Sequence, residues 1–142
     1  EGLSKSVFAM GAYLAETDLD PQLLALVKVR ASVVNGCGFC LDMHWKEARK
    51  RGHSPRVLAL VASWRDAPVF GARERAALAW TEALTRVAET GAPAADYEAI
   101  AARFAPQEQV ALTLAITAIN SWNRIAIGFA TPHPAAGEAH AA

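Results

Sequence analysis

The sequence predicts an all-α protein, a single-domain bundle of six to seven helices. Alanine, the strongest helix former and a poor strand former, supplies 32 of the 142 residues. Apolar residues make up 53% of the chain, which is enough for a core, and they recur at helical spacing. The length suits one domain. We assign residues 1–130 to this domain and residues 131–142, which have no pattern, to a flexible C-terminal tail.

Capping residues and breakers divide the domain into helices. Asp20 can cap a helix and Pro21 fits its first turn, whereas Asn35-Gly36 is typical of a helix end. Each later break contains glycine or proline. The predicted helices cover residues 3–16, 21 to the turn at 35–36, 37 to the stop at 52, 55–64, 71–90, 94–104 and 106–129.

The last predicted helix, residues 106–129, is apolar on several sides, which is typical of a buried helix. Polar residues such as Asn120 and Asn123 interrupt it, and the chain has no run of 18 apolar residues, so we predict no membrane span. In a chain this small, such a helix is expected to be central or to pack against another subunit.

The charge balance and the cysteine content limit the classes of function that the sequence supports. The 14 basic and 14 acidic residues balance, so the chain carries no net positive charge that would attract nucleic acid or an anionic membrane. The first five residues lack the layout of a signal peptide. Two cysteines three positions apart are not a secreted disulfide framework, and we expect a redox or metal-binding pair in a cytoplasmic protein.

Residues 35–44 carry the predicted chemistry. On a helix, Cys37, Cys40 and His44 share one face. The Asn-Gly turn before them places the cysteines at a helix N-terminus, whose free N–H groups favour a thiolate and lower a thiol pKa. A nearby imidazole can take the thiol proton. The sequence therefore predicts a CxxC dithiol that cycles to a disulfide, with these three residues as the catalytic group.

Two other interpretations of the motif stay open. In a structural zinc module, Cys37, Cys40 and His44 would need a fourth ligand, for which His53 is the nearest histidine. Alternatively, both cysteines are inert and merely pack. A c-type haem site is excluded because no histidine directly follows the second cysteine. His53 and His133 are interpreted as loop and tail residues.

The chain resembles the alkylhydroperoxidase D-like (AhpD-like) family of the carboxymuconolactone decarboxylase superfamily over about residues 6–130. The family hallmark is a glutamate, eleven residues, and then Cys-x-x-Cys-x-x-x-His. The matching segments here are residues 23–32, the motif after Asn-Gly in residues 35–44, residues 46–49 with the glycine at 52, and residues 73–83.

The resemblance implies a helical fold that assembles as a homotrimer or homohexamer and reduces hydroperoxides with thiols, an antioxidant activity. It implies that Cys40 attacks the peroxide, that Cys37 resolves the sulfenate to a disulfide, and that His44 belongs to the proton relay. No bound cofactor is expected, because an external dithiol, such as the lipoyl group of a lipoylated protein, would reduce the disulfide. A redox-inactive decarboxylase-like enzyme or binding protein is the alternative within the same superfamily.

Two positions depart from the family pattern. The glutamate falls on Ala25, and the residue before the second cysteine, often histidine in peroxidase members, is Phe39. The relay therefore lacks a carboxylate. Glu47, three residues after His44, and Glu82, from a separate helix, are the candidates to supply it.

Overall fold

A computed structural model describes residues 2–133, with side chains from residue 5 onward. Within these residues the protein is helical and has no strand, which confirms the predicted fold class. A single turn of 3-10 helix, Val61–Ser63, follows the fourth α-helix. The α-helices are α1 (Gly2–Ala15), α2 (Pro21–Asn35), α3 (Gly38–Lys50), α4 (Pro55–Leu60), α5 (Ala72–Thr85), α6 (Val87–Thr90), α7 (Ala94–Ala101) and α8 (Pro106–Gly128). Residues 134–142 of the predicted tail lie outside the described part.

The described residues form eight α-helices rather than six to seven. The single helix predicted over residues 71–90 is two helices, because Arg86 leaves the helical conformation with φ −108° and ψ 34°. The helix predicted over residues 55–64 ends early and continues as the 3-10 turn. The second difference lies at a helix end, where sequence signals are weakest, whereas the break at Arg86 lies inside the predicted helix.

The predicted boundaries of α2 are confirmed, and they position the cysteines. The Asp20 carboxylate accepts a hydrogen bond of 2.9 Å from the Gln22 amide, with Pro21 in the first turn. At the other end Gly36 has a left-handed φ of 68°. The Cys37 amide then donates to the Ser32 carbonyl over 3.0 Å, so the chain turns directly from α2 into α3.

Helix α2 lies at the centre of the bundle, packed against α3, α5 and α8. Its opposite faces enter two different apolar clusters. Leu26 is buried among residues of α3, α4 and α5, whereas Val27 is buried among residues of α5, α7 and α8. Because burying such a side chain contributes about 1.5–3 kcal/mol, α2 is held from both sides and its end cannot move independently of the core.

Helix α8 is the one helix in residues 2–133 that has the length and composition of a membrane span. It packs against α1, α2 and α5, and so serves as a core helix of this bundle. Asn120 and Asn123 are among its buried residues. Their amide groups need hydrogen-bond partners, which the hydrocarbon of a bilayer does not provide. Val110 and Ile127 leave part of its apolar surface exposed.

Candidate active site

The turn between α2 and α3 brings the two cysteines together as free thiols. Cys37 is the N-cap of α3, and its Sγ accepts a hydrogen bond of 3.4 Å from the Cys40 amide. Both residues are only 2% exposed. Because they lie within one helical turn at a helix N-terminus, a disulfide can close with little backbone movement.

Burial dominates the electrostatics of Cys40 and raises its pKa to about 12. The hydrogen bond with Cys37 raises it further, while a hydrogen bond from Asn123 acts in the opposite direction. The lowered pKa predicted from the helix N-terminus is therefore wrong for Cys40. In the reduced protein Cys40 is a neutral thiol, and any reaction at its sulfur needs a group that removes the proton.

Glu47 lies beside His44, as their spacing along the helix predicted. The His44 Nδ1 is 2.9 Å from the Glu47 Oε2, and His44 is buried. The hydrogen bond to His44, together with the charge of Lys28, lowers the pKa of Glu47 to about 2 against the effect of burial. An ionised carboxylate can only accept, so Nδ1 donates and the neutral ring carries its basic lone pair at Nε2.

Two cations fix the orientation of the Glu47 carboxylate. Lys28, on α2, and Arg51, after the end of α3, each donate to Oε1 over 3.2 Å. Lys28 also donates to Oε2 over 3.3 Å, so that oxygen is shared between Lys28 and His44, and the lysine joins α3 to its neighbour α2. This is the arrangement of a histidine held in one tautomer by a carboxylate behind it.

Glu82, the second candidate for the missing carboxylate, lies in a different environment. It accepts hydrogen bonds from Arg30, from Arg65 and, over 2.7 Å, from the indole nitrogen of Trp64. Burial works to raise its pKa, but the bonds from Trp64 and Arg65 and the charge of Arg30 hold the pKa below its usual value. These contacts join α5 to α2 and to the residues that follow the 3-10 turn, so Glu82 stabilises the packing of these elements.

The two positions that depart from the family pattern have apolar surroundings. Ala25 is completely buried in the same apolar cluster as Leu26 and Ala48. Phe39 packs against the small cluster formed by Cys37, Cys40 and Ala126. At neither position does a side chain replace the acid or the imidazole of the family pattern.

A cavity of about 740 Å³ opens on the His44 side of α3. Its walls are mostly apolar side chains of α1, α2, α3 and α8, and we call it the apolar cavity. One edge is polar and consists of Lys28, His44, Glu47 and Arg51. A concave, apolar site with a few convergent polar groups is the usual form of a small-molecule site.

A second cavity, of about 370 Å³, lies over Cys37, and we call it the Cys37 cavity. It forms because Ala130, with a left-handed φ of 48°, turns the chain back after α8. The Thr131 amide then donates to the Ala126 carbonyl over 2.9 Å. Phe39 is the one residue that lines both cavities. The cavity is lined by Gly36, Cys37, Gly38, Phe39, Ala126, Ile127, Ala130, Thr131, Pro132 and His133.

Three asparagines behind the cysteines form a hydrogen-bonded cluster that the sequence analysis missed. The Asn35 amide donates to the side-chain oxygens of Asn120, over 2.9 Å, and Asn123, over 2.8 Å. Asn123 in turn donates to the Ser32 hydroxyl over 3.2 Å and bonds Cys40. Two asparagines one turn apart in an otherwise apolar helix were the available signal, because buried amides need partners.

The zinc alternative finds no ligand set in the described residues. Across residues 2–133, no group of three or more His, Cys, Asp and Glu side chains is arranged to hold a metal ion. His53, the proposed fourth ligand, has its Nε2 2.9 Å from the Gln22 carbonyl oxygen. His53 is therefore a buried loop histidine with a structural hydrogen bond.

Comparison with known sequences gives two matches over much of the chain. A sequence profile of the carboxymuconolactone decarboxylase family matches residues 2–83. The uncharacterized protein YdfG of Bacillus subtilis (strain 168) is 33% identical over 127 residues, which cover 89% of this chain and 86% of YdfG.

Solved structures that share the fold include the following two. One is a protein of unknown function from Agrobacterium tumefaciens, described as a candidate antioxidant defence protein AhpD. It has a TM-score of 0.89 and 46% identity, and the match covers 93% of this chain and 90% of that one. The other is an uncharacterized peroxidase-related protein from Silicibacter sp. TM1040, with a TM-score of 0.80 and 26% identity over 92% of this chain and 70% of that one.

Proposed function

The chain belongs to the carboxymuconolactone decarboxylase family, and from this premise we propose that it is an AhpD-like thiol peroxidase with an antioxidant role. The observation that carries the proposal is the pairing of two free thiols in one turn with a carboxylate-oriented histidine on the same helix. A pair of inert cysteines would need neither the histidine nor the carboxylate behind it.

In the first step, the Cys40 sulfur attacks the peroxide and the O–O bond breaks. His44 takes the thiol proton and passes it to the departing alkoxide, so one alcohol leaves and Cys40 becomes a sulfenic acid. Burial that keeps Cys40 protonated makes such a base necessary, because only the thiolate is strongly nucleophilic.

In the second step, Cys37 attacks the Cys40 sulfenic acid, releases water and closes the disulfide. An external dithiol, such as a lipoyl group on a partner protein, then reduces the disulfide and is itself oxidised to a disulfide. Two electrons move in each half of the cycle, so no bound cofactor is needed.

Glu47 takes the place of the carboxylate that Ala25 lacks. It approaches His44 from the next turn of α3 rather than from α2, and its 2.9 Å contact with Nδ1 leaves Nε2 as the proton acceptor. The proposed relay therefore runs from Cys40 to His44, with Glu47 stabilising the imidazolium that forms.

We propose further that the protein is a cytoplasmic homotrimer or homohexamer. Phe8, Val110, Ile127 and Phe129 are at least half exposed, which is costly for an isolated subunit in water. Subunit contacts that involve α1 and α8 would cover this surface and enclose the apolar cavity.

The decisive experiment combines thiol counting with turnover, using cumene hydroperoxide and dihydrolipoamide as probes. We expect two free thiols in the reduced protein, none after one equivalent of peroxide, and steady turnover with both reagents. Cys40→Ser should abolish turnover, whereas Cys37→Ser should stop at a sulfenic acid that a dimedone probe captures. Two thiols that persist after peroxide treatment would instead favour a redox-inactive, decarboxylase-like enzyme or binding protein.

A further inference from the structure

His133 lies at the mouth of the Cys37 cavity, although the sequence places it in a tail. The turn at Ala130 brings residues 131–133 back over the first turn of α3. The His133 ring meets the Phe39 ring edge to face, with centroids 6.3 Å apart and an angle of 74° between the planes. An imidazole thus lines the same cavity as the N-terminal cysteine of the motif.

Gly38 has no side chain, and this leaves the space that the His133 ring occupies. A Cβ built at Gly38 would lie 2.9 Å from the Cε1 of His133 and 3.4 Å from its Nε2. The first of these distances is shorter than real Cβ contacts allow, so any larger residue would displace the ring. His133 and Gly38 therefore fit each other closely, beside the reactive pair.

The lining of the Cys37 cavity contains few groups that can take part in acid–base or thiol chemistry. Among its lining residues in the described part of the chain, Cys37 and His133 are the only titratable groups. His44 and Glu47 line the apolar cavity. Cys37 is thus the sulfur that faces this cavity, and His133 is the acid–base group that faces it from the end of α8.

We propose that the external dithiol enters the Cys37 cavity and attacks the sulfur of Cys37, with His133 as the acid–base residue of that step. This inference rests on the proposed thiol-disulfide cycle and assigns its reductive half to the Cys37 cavity. The reductant reacts there beside His133, whereas His44 and Glu47, the proposed relay of the peroxide step, line the apolar cavity.

The exchange balances in two steps. His133 takes the proton of the first incoming thiol, whose sulfur bonds Cys37 while the Cys37–Cys40 bond breaks and its electron pair goes to Cys40. The proton reaches Cys40 through the imidazole and water, which the high pKa of that thiol favours. The second thiol of the reductant then attacks the mixed disulfide, frees Cys37 as a thiol and leaves the reductant as a disulfide.

The test isolates the reductive half-reaction. The disulfide is formed with diamide, which bypasses peroxide, and its reduction by dihydrolipoamide is followed by stopped flow from pH 5 to 9. In the unmodified protein, we expect the rate to show a pH-dependent step from an acid–base residue. His133→Gln and His133→Ala should remove the step and slow reduction about 10- to 100-fold at pH 7.5, while peroxide oxidation stays within about twofold.

Gly38→Ala is the second, independent variant, because it displaces the ring without removing it. It should slow reduction in a protein that retains His133, and it should add no further loss when combined with His133→Ala. Gly128→Ala, at a position outside both cavity linings where an added Cβ meets nothing within 4 Å, is the matched control.

An unchanged pH step in both His133 variants would overturn the proposal, as would a Gly38→Ala effect that persists in full without His133. Failure of peroxide to oxidise the protein would refute the peroxidase function but leave this test intact, since diamide supplies the disulfide.

Discussion

Glu47 and Glu82 are carboxylates of similar burial, with side chains 28% and 15% exposed, and both pKa values lie below the ordinary range. Their partners differ. Glu82 is bound by two arginines and an indole, none of which changes protonation near neutral pH. Glu47 is bound by a lysine, an arginine and an imidazole. A lowered pKa alone therefore does not identify a catalytic carboxylate, and the role proposed for Glu47 rests on its imidazole partner.

The largest effect is expected at Glu82 and concerns stability. Glu82→Gln leaves Arg30, which is mostly buried, without its counter-charge, and should lower the free energy of unfolding by about 2–3 kcal/mol, less than for a fully buried pair because Arg65 is exposed. Urea denaturation measures this loss. The rate of peroxide oxidation in the folded protein should change by less than about twofold. Lys46→Gln, which breaks an exposed pair with Asp42, is the control and should cost less than about 1 kcal/mol.

At Glu47 the expected effect is on rate. Glu47→Gln removes the charge that stabilises the His44 imidazolium and should slow peroxide oxidation of the reduced protein about 10- to 100-fold at pH 7, the usual effect of losing such a partner. Single-turnover kinetics, followed by thiol loss, measure it. An equal loss in Glu82→Gln, corrected for unfolded protein, would contradict the distinction between the two carboxylates.

A glutamate introduced at position 25 tests whether Glu47 supplies the carboxylate of the proposed relay. If Glu47 already fills the role, Ala25→Glu alone should give no faster oxidation, and its burial should destabilise the fold. In the Glu47→Gln background, the same substitution should recover rate, since a carboxylate returns to the family position. Recovery by Ala25→Gln would attribute the gain to size rather than charge.

The smallest effect concerns acid stability. The Glu47 pKa of about 2 lies below its unfolded value of 4.5, so its contribution is complete above about pH 4.5 and is lost as the pH falls toward 2. We expect this group to account for about 1–2 kcal/mol of the acid destabilisation, discounted for its partial exposure. Urea midpoints between pH 2 and 7 should fall less steeply in Glu47→Gln than in the unmodified protein.

Local chemistry made α2 and the histidine pair predictable. Asp20, Pro21 and Gly36 act on neighbouring backbone, and Glu47 reaches His44 because three residues make almost one helical turn. The pKa of Cys40 could not be predicted, because a helix N-terminus is visible in the sequence whereas burial is not.

Long-range contacts account for what the sequence did not reveal. Glu82 meets Arg30 across 52 residues, and no periodicity encodes that pairing. The placement of His133 depends on a left-handed alanine, a conformation that sequence rules reserve for glycine and asparagine. The break at Arg86 has no proline or glycine to announce it.

The bond from Asn35 to Asn120 and Asn123 determines the alignment of α8 along α2. If α8 slid by one turn, about 5.4 Å, Ile116 and Ile119 would stand opposite Asn35. The buried amides of Asn120 and Asn123 would then each lose partners at about 1–3 kcal/mol. Apolar contacts between two helices would tolerate that slide far better. The amides thus fix one position of α8 along α2, and they keep the residues behind the Cys40 sulfur in one place. If these asparagines were leucines, the helices would still form, but α8 would no longer be restricted to one position along α2.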